Sequence, residues 1–442
     1  MRAGCAASIR RCRRPLSAPP LVTRGSAAKI FFVSLVSLVV PLPTGVRSGA
    51  QTLPSSPLVF ADGHVTIGGD VSASFGSDDG SREHPGFFNF TDYEHSALRT
   101  LRIDVSAIVK GGDRLSVVGE MRTENFDRPE AYALYLRVRP WPTRNFDVQA
   151  GRIPPTFGAF TRRTYPTDNP LIGYPLAYQY LTSLRPDALP ASAAELLTKR
   201  GLGWLDQFSI PTGVKPERGV PLVSAFRWDT GVQVHGGSQL NLISAAASIS
   251  AGTVSNPLVI DDNSRPQIAG RIEVRPVTGL VAGASAARGP FVTDEAARAA
   301  AGDGHDHEFT QQALGGDVEY SRDYYLLRFE TIVSDWRLPI VRAPELKLPL
   351  RAVSTSAEGR YKFAPGVYAA ARFDHLGFST ITGSPAQGTL PWDAPTTRVE
   401  IGGGWSVQRN LIFKVSFQRN TRDGGPLLRV ANLGACQVVY WW

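Results

Sequence analysis

Few residues of this 442-residue chain are spaced for covalent or metal chemistry. His305-Asp306-His307-Glu308 gathers two imidazoles and two carboxylates, the ligand types of a zinc site. No further ligand set accompanies them, and the surrounding Gly/Ala-rich stretch reads as a solvated loop. His305 and His307 are thus the only metal pair worth testing, and neither a metal nor a cofactor is expected. There is no nucleotide-binding P-loop, zinc-protease pair or nucleophile elbow. Cys436 falls in an apolar run, where a thiol acts as a small packing residue. Paired carboxylates are common, yet arginines on neighbouring segments match them, which suits cross-strand ion pairing better than hydrolysis. No catalytic constellation emerges, and an enzyme is not expected.

The charges instead alternate with apolar residues. In Leu101-Arg102-Ile103-Asp104-Val105-Ser106-Ala107 one face is apolar and the other charged, the period-2 signature of a strand. The pattern returns in 132–138, 268–274, 367–373, 399–407 and 411–417. The charged face includes Arg102, Asp104, Glu120, Arg122, Arg137, Arg139, Arg271, Glu273, Arg328, Glu330, Arg360, Arg372, Arg398 and Glu400. Such a face belongs against water, while its uncharged opposite suits lipid, where a mid-bilayer Arg costs about 2–4 kcal/mol. The reading is sixteen strands between residues 64 and 442, with short and long connections alternating along the chain. This is the plan of an up-and-down transmembrane β-barrel. A soluble β-sandwich predicts neither that alternation nor strands of ten or more residues.

The N-terminus fits export. Arg2, Arg10, Arg11, Arg13, Arg14, Arg24 and Lys29 precede the apolar run Ile30 to Val40, and Ser48-Gly49-Ala50 offers a cleavage site. The run is too short to span a bilayer, and Pro41 and Pro43 close it. Residues 1–50 are therefore read as a signal peptide cleaved near Ala50. Its removal takes eight of the 47 basic residues and leaves 39, equal to the 39 acidic ones. The basic balance of the full chain thus argues nothing about nucleic acid, and no nucleic-acid partner is expected. Cys5 and Cys12 leave with the leader, so Cys436 has no partner for an internal disulfide. Residues 51–63 read as a short periplasmic lead-in, too small for an energy-coupling plug domain.

The third long connection, residues 154–221, exceeds an ordinary link. It opens with Gly151-Arg152-Ile153-Pro154-Pro155-Thr156-Phe157-Gly158, which resembles a stretch seen in several outer-membrane porin families, including those similar to phosphate-selective porins. The resemblance covers these eight residues and the architecture. It implies an outer-membrane channel passing small solutes or ions, a third loop folded into the lumen as a constriction, and a homotrimer. Arg162, Arg163, Asp168, Arg185, Lys199 and Arg200 are the loop charges available to such a constriction. Residues 188–199 read as a short helix with Asp187 as cap. Arginine outnumbers acid on the inward face, which predicts a weak anion preference. Trp141, Tyr324, Tyr325, Trp336, Tyr361 and Trp405 suit interfacial girdles in contact with outer-membrane lipid. Val438, Tyr440 and the final Trp442 share one face and resemble the C-terminal strand read by the barrel-assembly machinery. The competing reading is a non-conducting surface protein, an adhesin or scaffold, or an enzyme using the barrel as a platform.

Overall fold

The computed structural model describes residues 54–77, 89, 96–203, 219–225, 228–238, 240, 242–263, 265–301, 308–424 and 430–442. The leader region 1–50, together with His305 and His307, lies outside the described residues.

Sixteen long strands form the wall. They are β1 (Val65–Gly76), β2 (Leu101–Lys110), β3 (Leu115–Glu124), β4 (Glu130–Val138), β5 (Phe146–Ile153), β6 (Asp229–Gly237), β7 (Ile243–Ser250) and β8 (Gln267–Val274), followed by β9 (Leu280–Pro290), β10 (Thr310–Arg322), β11 (Tyr325–Trp336), β12 (Leu350–Ala364), β13 (Val367–Phe378), β14 (Thr396–Gln408), β15 (Leu411–Arg422) and β16 (Val430–Trp441). Each pairs antiparallel with the next, and β16 returns to β1 with Tyr440 opposite Val71, so the sheet closes into a barrel. Closure leaves no unpaired strand edge in lipid. A three-residue strand, Leu58–Phe60, folds back on Val65–Ile67 at the seam.

The alternation seen in the sequence has its sides inverted relative to a soluble protein. Along β15, Phe413, Val415 and Phe417 are exposed while Lys414, Ser416, Gln418 and Asn420 are buried. On β13, Phe373 is exposed between the buried Arg372 and Asp374. Leaving one large apolar side chain in water forgoes about 1.5–3 kcal/mol, so a band of them around the whole wall requires lipid outside. No helix among the described residues is long and apolar enough to cross a membrane, and the strands do the crossing.

Two-residue turns such as Pro365-Gly366 join strands at the end where both termini lie. Pro365 presets the first turn dihedral and Gly366 takes φ +75°, open to glycine at little cost. Long connections occupy the other end, except that 125–129 is shorter than the opposite turn 139–145. Trp141, Tyr324, Tyr325, Tyr361 and Trp405 are exposed, as a girdle requires, whereas Trp336 is fully buried.

Trp336 marks a further departure, because the interior is not polar throughout. At the long-loop end an apolar core fills it, built from Phe157, Phe160, Tyr178, Leu184, Leu196, Phe291, Phe309, Leu338 and Trp392 against wall residues such as Ala313, Ile332 and Leu376. The expected sixth strand from residue 222 starts instead at Asp229, since Leu222, Val223 and Ala225 belong to this core.

Candidate functional site

The buried charges of the wall pair with one another across strands. Between β2 and β3, Arg102 meets Glu124 at 2.6 Å and Arg122 meets Asp104 at 2.5 Å. Arg271 on β8 grips Asp317 on β10 through both terminal nitrogens (2.7 and 2.9 Å) and Glu273 through Nε. Arg328 bridges Glu319 and Glu358, while Arg372 joins Glu358, Asp374 and Glu400 at 2.6–3.3 Å. Removing one member of such a buried group would strand the others at a cost of about 3–5 kcal/mol. These pairs offset the arginine excess that suggested anion preference, because Asp317 and Glu319 add acids to the inward face. Arg137 is only loosely paired, 4.0 Å from Asp147, and Arg360 lies 5.8 Å from the Tyr368 ring. Arg139 is exposed one residue beyond β4.

Segment 154–203 enters this interior, and the Gly151–Gly158 motif turns it in. Thr156 bonds Ser248 on β7 at 2.8 Å and Gln233 on β6 at 2.5 Å, and Gly158 N donates to Ser285 on β9 at 3.1 Å. Gly158 has φ +80°, and a Cβ there would sit 2.7 Å from the Tyr178 hydroxyl. Glycine thus serves both the turn and the close packing. Phe157 is buried over Gly315 of β10.

From there the segment bonds wall side chains on both sides of the barrel. Glu330 Oε1 accepts from Ala159 N (2.8 Å) and Tyr178 Oη (2.7 Å). Arg102 donates to Thr164 O and Tyr174 Oη, and Arg398 donates to Tyr174 O at 2.7 Å. Glu400 accepts from Gly173 N, and the buried Lys414 donates to the carbonyls of Pro166 and Asn169. Of the expected pore-lining set, Arg102, Glu330, Arg398 and Glu400 therefore hold the segment in place.

The expected loop charges divide into two groups. Arg163 pairs with Glu319 at 2.5 Å, Asp168 is exposed and passes its carbonyl to Arg328, and Arg162 is exposed, donating to Pro155 O. Arg185, Lys199 and Arg200 lie elsewhere. Arg185 pairs with Asp187, Lys199 with Glu195, and Arg200 is buried with Nη2 3.4 Å from Asp423 O. The helix of this region is α2 (Ala193–Thr198), after α1 (Leu176–Gln179), and its cap is Ser192, whose Oγ accepts from Glu195 N. Asp187 is not the cap.

Lys414 and Asp393 are both anchors missed in the sequence. Asp393, fully buried in the connection before β14, accepts from Ser183 N, Gly201 N and Ala394 N at 2.7 Å and from Tyr180 Oη at 3.2 Å. Burial pushes its carboxyl above the usual range, and the backbone N–H groups of Gly201, Ala394 and Ser183 offset only part of that rise. Its loop shows no alternation, so no sequence signal marked it. Asp70, Asp317 and Glu319 were within reach of the alternation rule in Gly69-Asp70-Val71-Ser72 and Gly316-Asp317-Val318-Glu319.

No protein-family model and no curated protein matches the sequence. Solved structures do resemble it. A loop-deletion form of OmpT, an outer membrane protein of Vibrio cholerae, superposes with TM-score 0.51 at 12% identity, over 86% of this chain and 99% of that one. The outer membrane channel DcaP of Acinetobacter baumannii gives TM-score 0.50 at 11% identity, over 88% and 100%. An anion-selective porin from Comamonas acidovorans gives 0.50 at 8%, over 86% and 99%. This likeness shows the porin β-barrel fold, and the apolar outer face is the one such a barrel presents to lipid.

Proposed function

We propose that the protein is a passive channel for small hydrophilic solutes or ions, with segment 154–221 setting its size limit. The supporting observation is the charged, ion-paired wall inside a closed barrel whose outer face is apolar. A barrel of about 16–18 strands usually encloses an aqueous passage. In this reading Arg137, Arg162, Arg163, Asp168, Arg328 and Arg360 face the passage, and Arg102, Glu330, Arg398 and Glu400 hold the constriction. A homotrimer and delivery by the barrel-assembly machinery belong to the same reading.

The apolar core at the long-loop end favours a second reading, a non-conducting barrel that displays loops to partners or serves as an enzyme platform. Single-channel recording of the folded protein in planar bilayers separates the two, alongside a variant lacking residues 161–215. Discrete ion steps that enlarge on deletion support the channel. A folded but silent barrel supports the surface protein, and turnover of lipid or glycan would then mark an enzyme.

A further inference from the structure

A polar row crosses the outside of the wall at the long-loop end. Arg288 on β9 stands opposite Gln312 on β10, Gln312 opposite Asp335 on β11, and Asp335 opposite Arg351 on β12. Alternation puts all four on the outward face, because their chain neighbours Ala287, Gln311, Ser334 and Ala352 are buried inside. Arg337, two residues beyond Asp335, prolongs β11 by donating its backbone N–H to Thr310 O, and its side chain is exposed. The next row down the same face is wholly apolar, with Ala286, Leu314, Val333 and Val353 opposite one another in turn. Between these two rows hydrocarbon gives way to headgroups.

With Arg337, the polar row carries three cations against one acid. Asp335 is taken by Arg351, whose Nε and Nη2 each donate to one of its oxygens at 2.8 Å. The exposed side chains of Arg288 and Arg337 make no hydrogen bond or ion pair among the described residues. Adjacent strands lie about 4.8 Å apart, so the guanidiniums spread over about 15 Å of the rim. An outward Arg costs about 2–4 kcal/mol at mid-bilayer and about 0–1 kcal/mol near the interface, so the rim tolerates such cations without requiring them. Three on neighbouring strands, two of them unpaired, form a field complementary to an anion at headgroup level. A guanidinium is weakly hydrated and offers a planar fork of N–H donors that fits phosphate oxygens.

We infer that this rim binds a phosphate-bearing lipid headgroup, with Arg288 and Arg337 on the phosphate, Gln312 between them, and the acyl chains against Ala286, Leu314 and Val353. Outer-membrane barrels keep their short turns on the periplasmic side, which makes this the outer leaflet. The assignment depends on lipid around the wall and not on conduction through it, so a silent bilayer leaves it standing.

The test is native mass spectrometry of the folded barrel released from maltoside detergent, which counts bound lipids and chain copies together. Phosphatidic acid and diacylglycerol of the same acyl chains are offered, with glycerol 3-phosphate as the soluble headgroup alone. Phosphatidic acid is expected to be retained in preference to both. At about 1 kcal/mol per arginine, R288Q/R337Q should weaken its retention about thirtyfold, or about 2 kcal/mol. R288K/R337K keeps the charge and should keep the preference, and R144Q/R409Q, which removes two exposed arginines of the short turns, should leave it unchanged. Equal retention of phosphatidic acid and diacylglycerol, equal retention by wild type and R288Q/R337Q, or an equal loss in R144Q/R409Q would each overturn the assignment. So would glycerol 3-phosphate held as strongly as the lipid, which marks a soluble-anion site, or loss of a second copy of the chain in place of lipid, which marks a protein interface.

Discussion

Glu330 offers a direct way to test whether segment 154–221 is held in place by identifiable bonds. Its Oε1 is the acceptor for Ala159 N and for the hydroxyl of Tyr178, a residue with no exposed surface. Glu330→Ala leaves both donors unanswered in a site from which water is largely excluded. At about 1–3 kcal/mol per stranded donor, the seated state loses about 2–6 kcal/mol. Even 2.7 kcal/mol changes the ratio of seated to released segment about a hundredfold. Glu330→Gln keeps an amide oxygen at the same place and should lose only part of this. Limited proteolysis of the folded barrel reads the effect as faster cleavage within residues 159–203, in the order Ala, then Gln, then wild type, and bilayer recordings read it as longer dwells in an enlarged open level. Equal cleavage rates and equal conductance for Ala and wild type would refute the anchoring argument. So would a Gln variant as labile as Ala, because the loss would then come from charge or packing rather than from the acceptor.

Phe373 faces outward in the middle of β13, between Ala357 and Val399 on its neighbours. Phe373→Arg should lower the folding free energy in lipid vesicles by about 2–4 kcal/mol, and a neutral effect would mean that this face is not in lipid. In the capping turn of α2, burial raises the Glu195 carboxyl, but the Lys199 ammonium and the Ala191 N–H outweigh it and hold it below the ordinary range. A depressed carboxyl stabilises the folded turn above its unfolded pKa of about 4.3 and loses that contribution as pH falls through the folded value. Amide-exchange protection around 191–199 should therefore fade below that range in the wild type and show no such step in Glu195→Gln.

The wall and its orientation were legible because a strand carries its environment in every second residue. Arg102, Asp104, Arg372, Arg398 and Glu400 alternate with Ile103, Val105, Phe373, Val399 and Ile401, and only a barrel with lipid outside satisfies charge and apolarity at once. Trp336 was misread for the same reason. Its place at a strand end suits a girdle, and which face it takes depends on Trp392, 56 residues away in sequence and 5.6 Å away between ring centroids.

By itself, then, the sequence determined the strands, their faces and the place where a long segment leaves the wall, since each is set by local periodicity and turn chemistry. Tertiary structure alone decided which charges neutralise one another and that Glu330, Arg398, Glu400 and Asp393 hold the inserted segment. Those outcomes depend on cross-strand register and on where an aperiodic loop comes to rest, and neither distance is written in the spacing of residues along the chain.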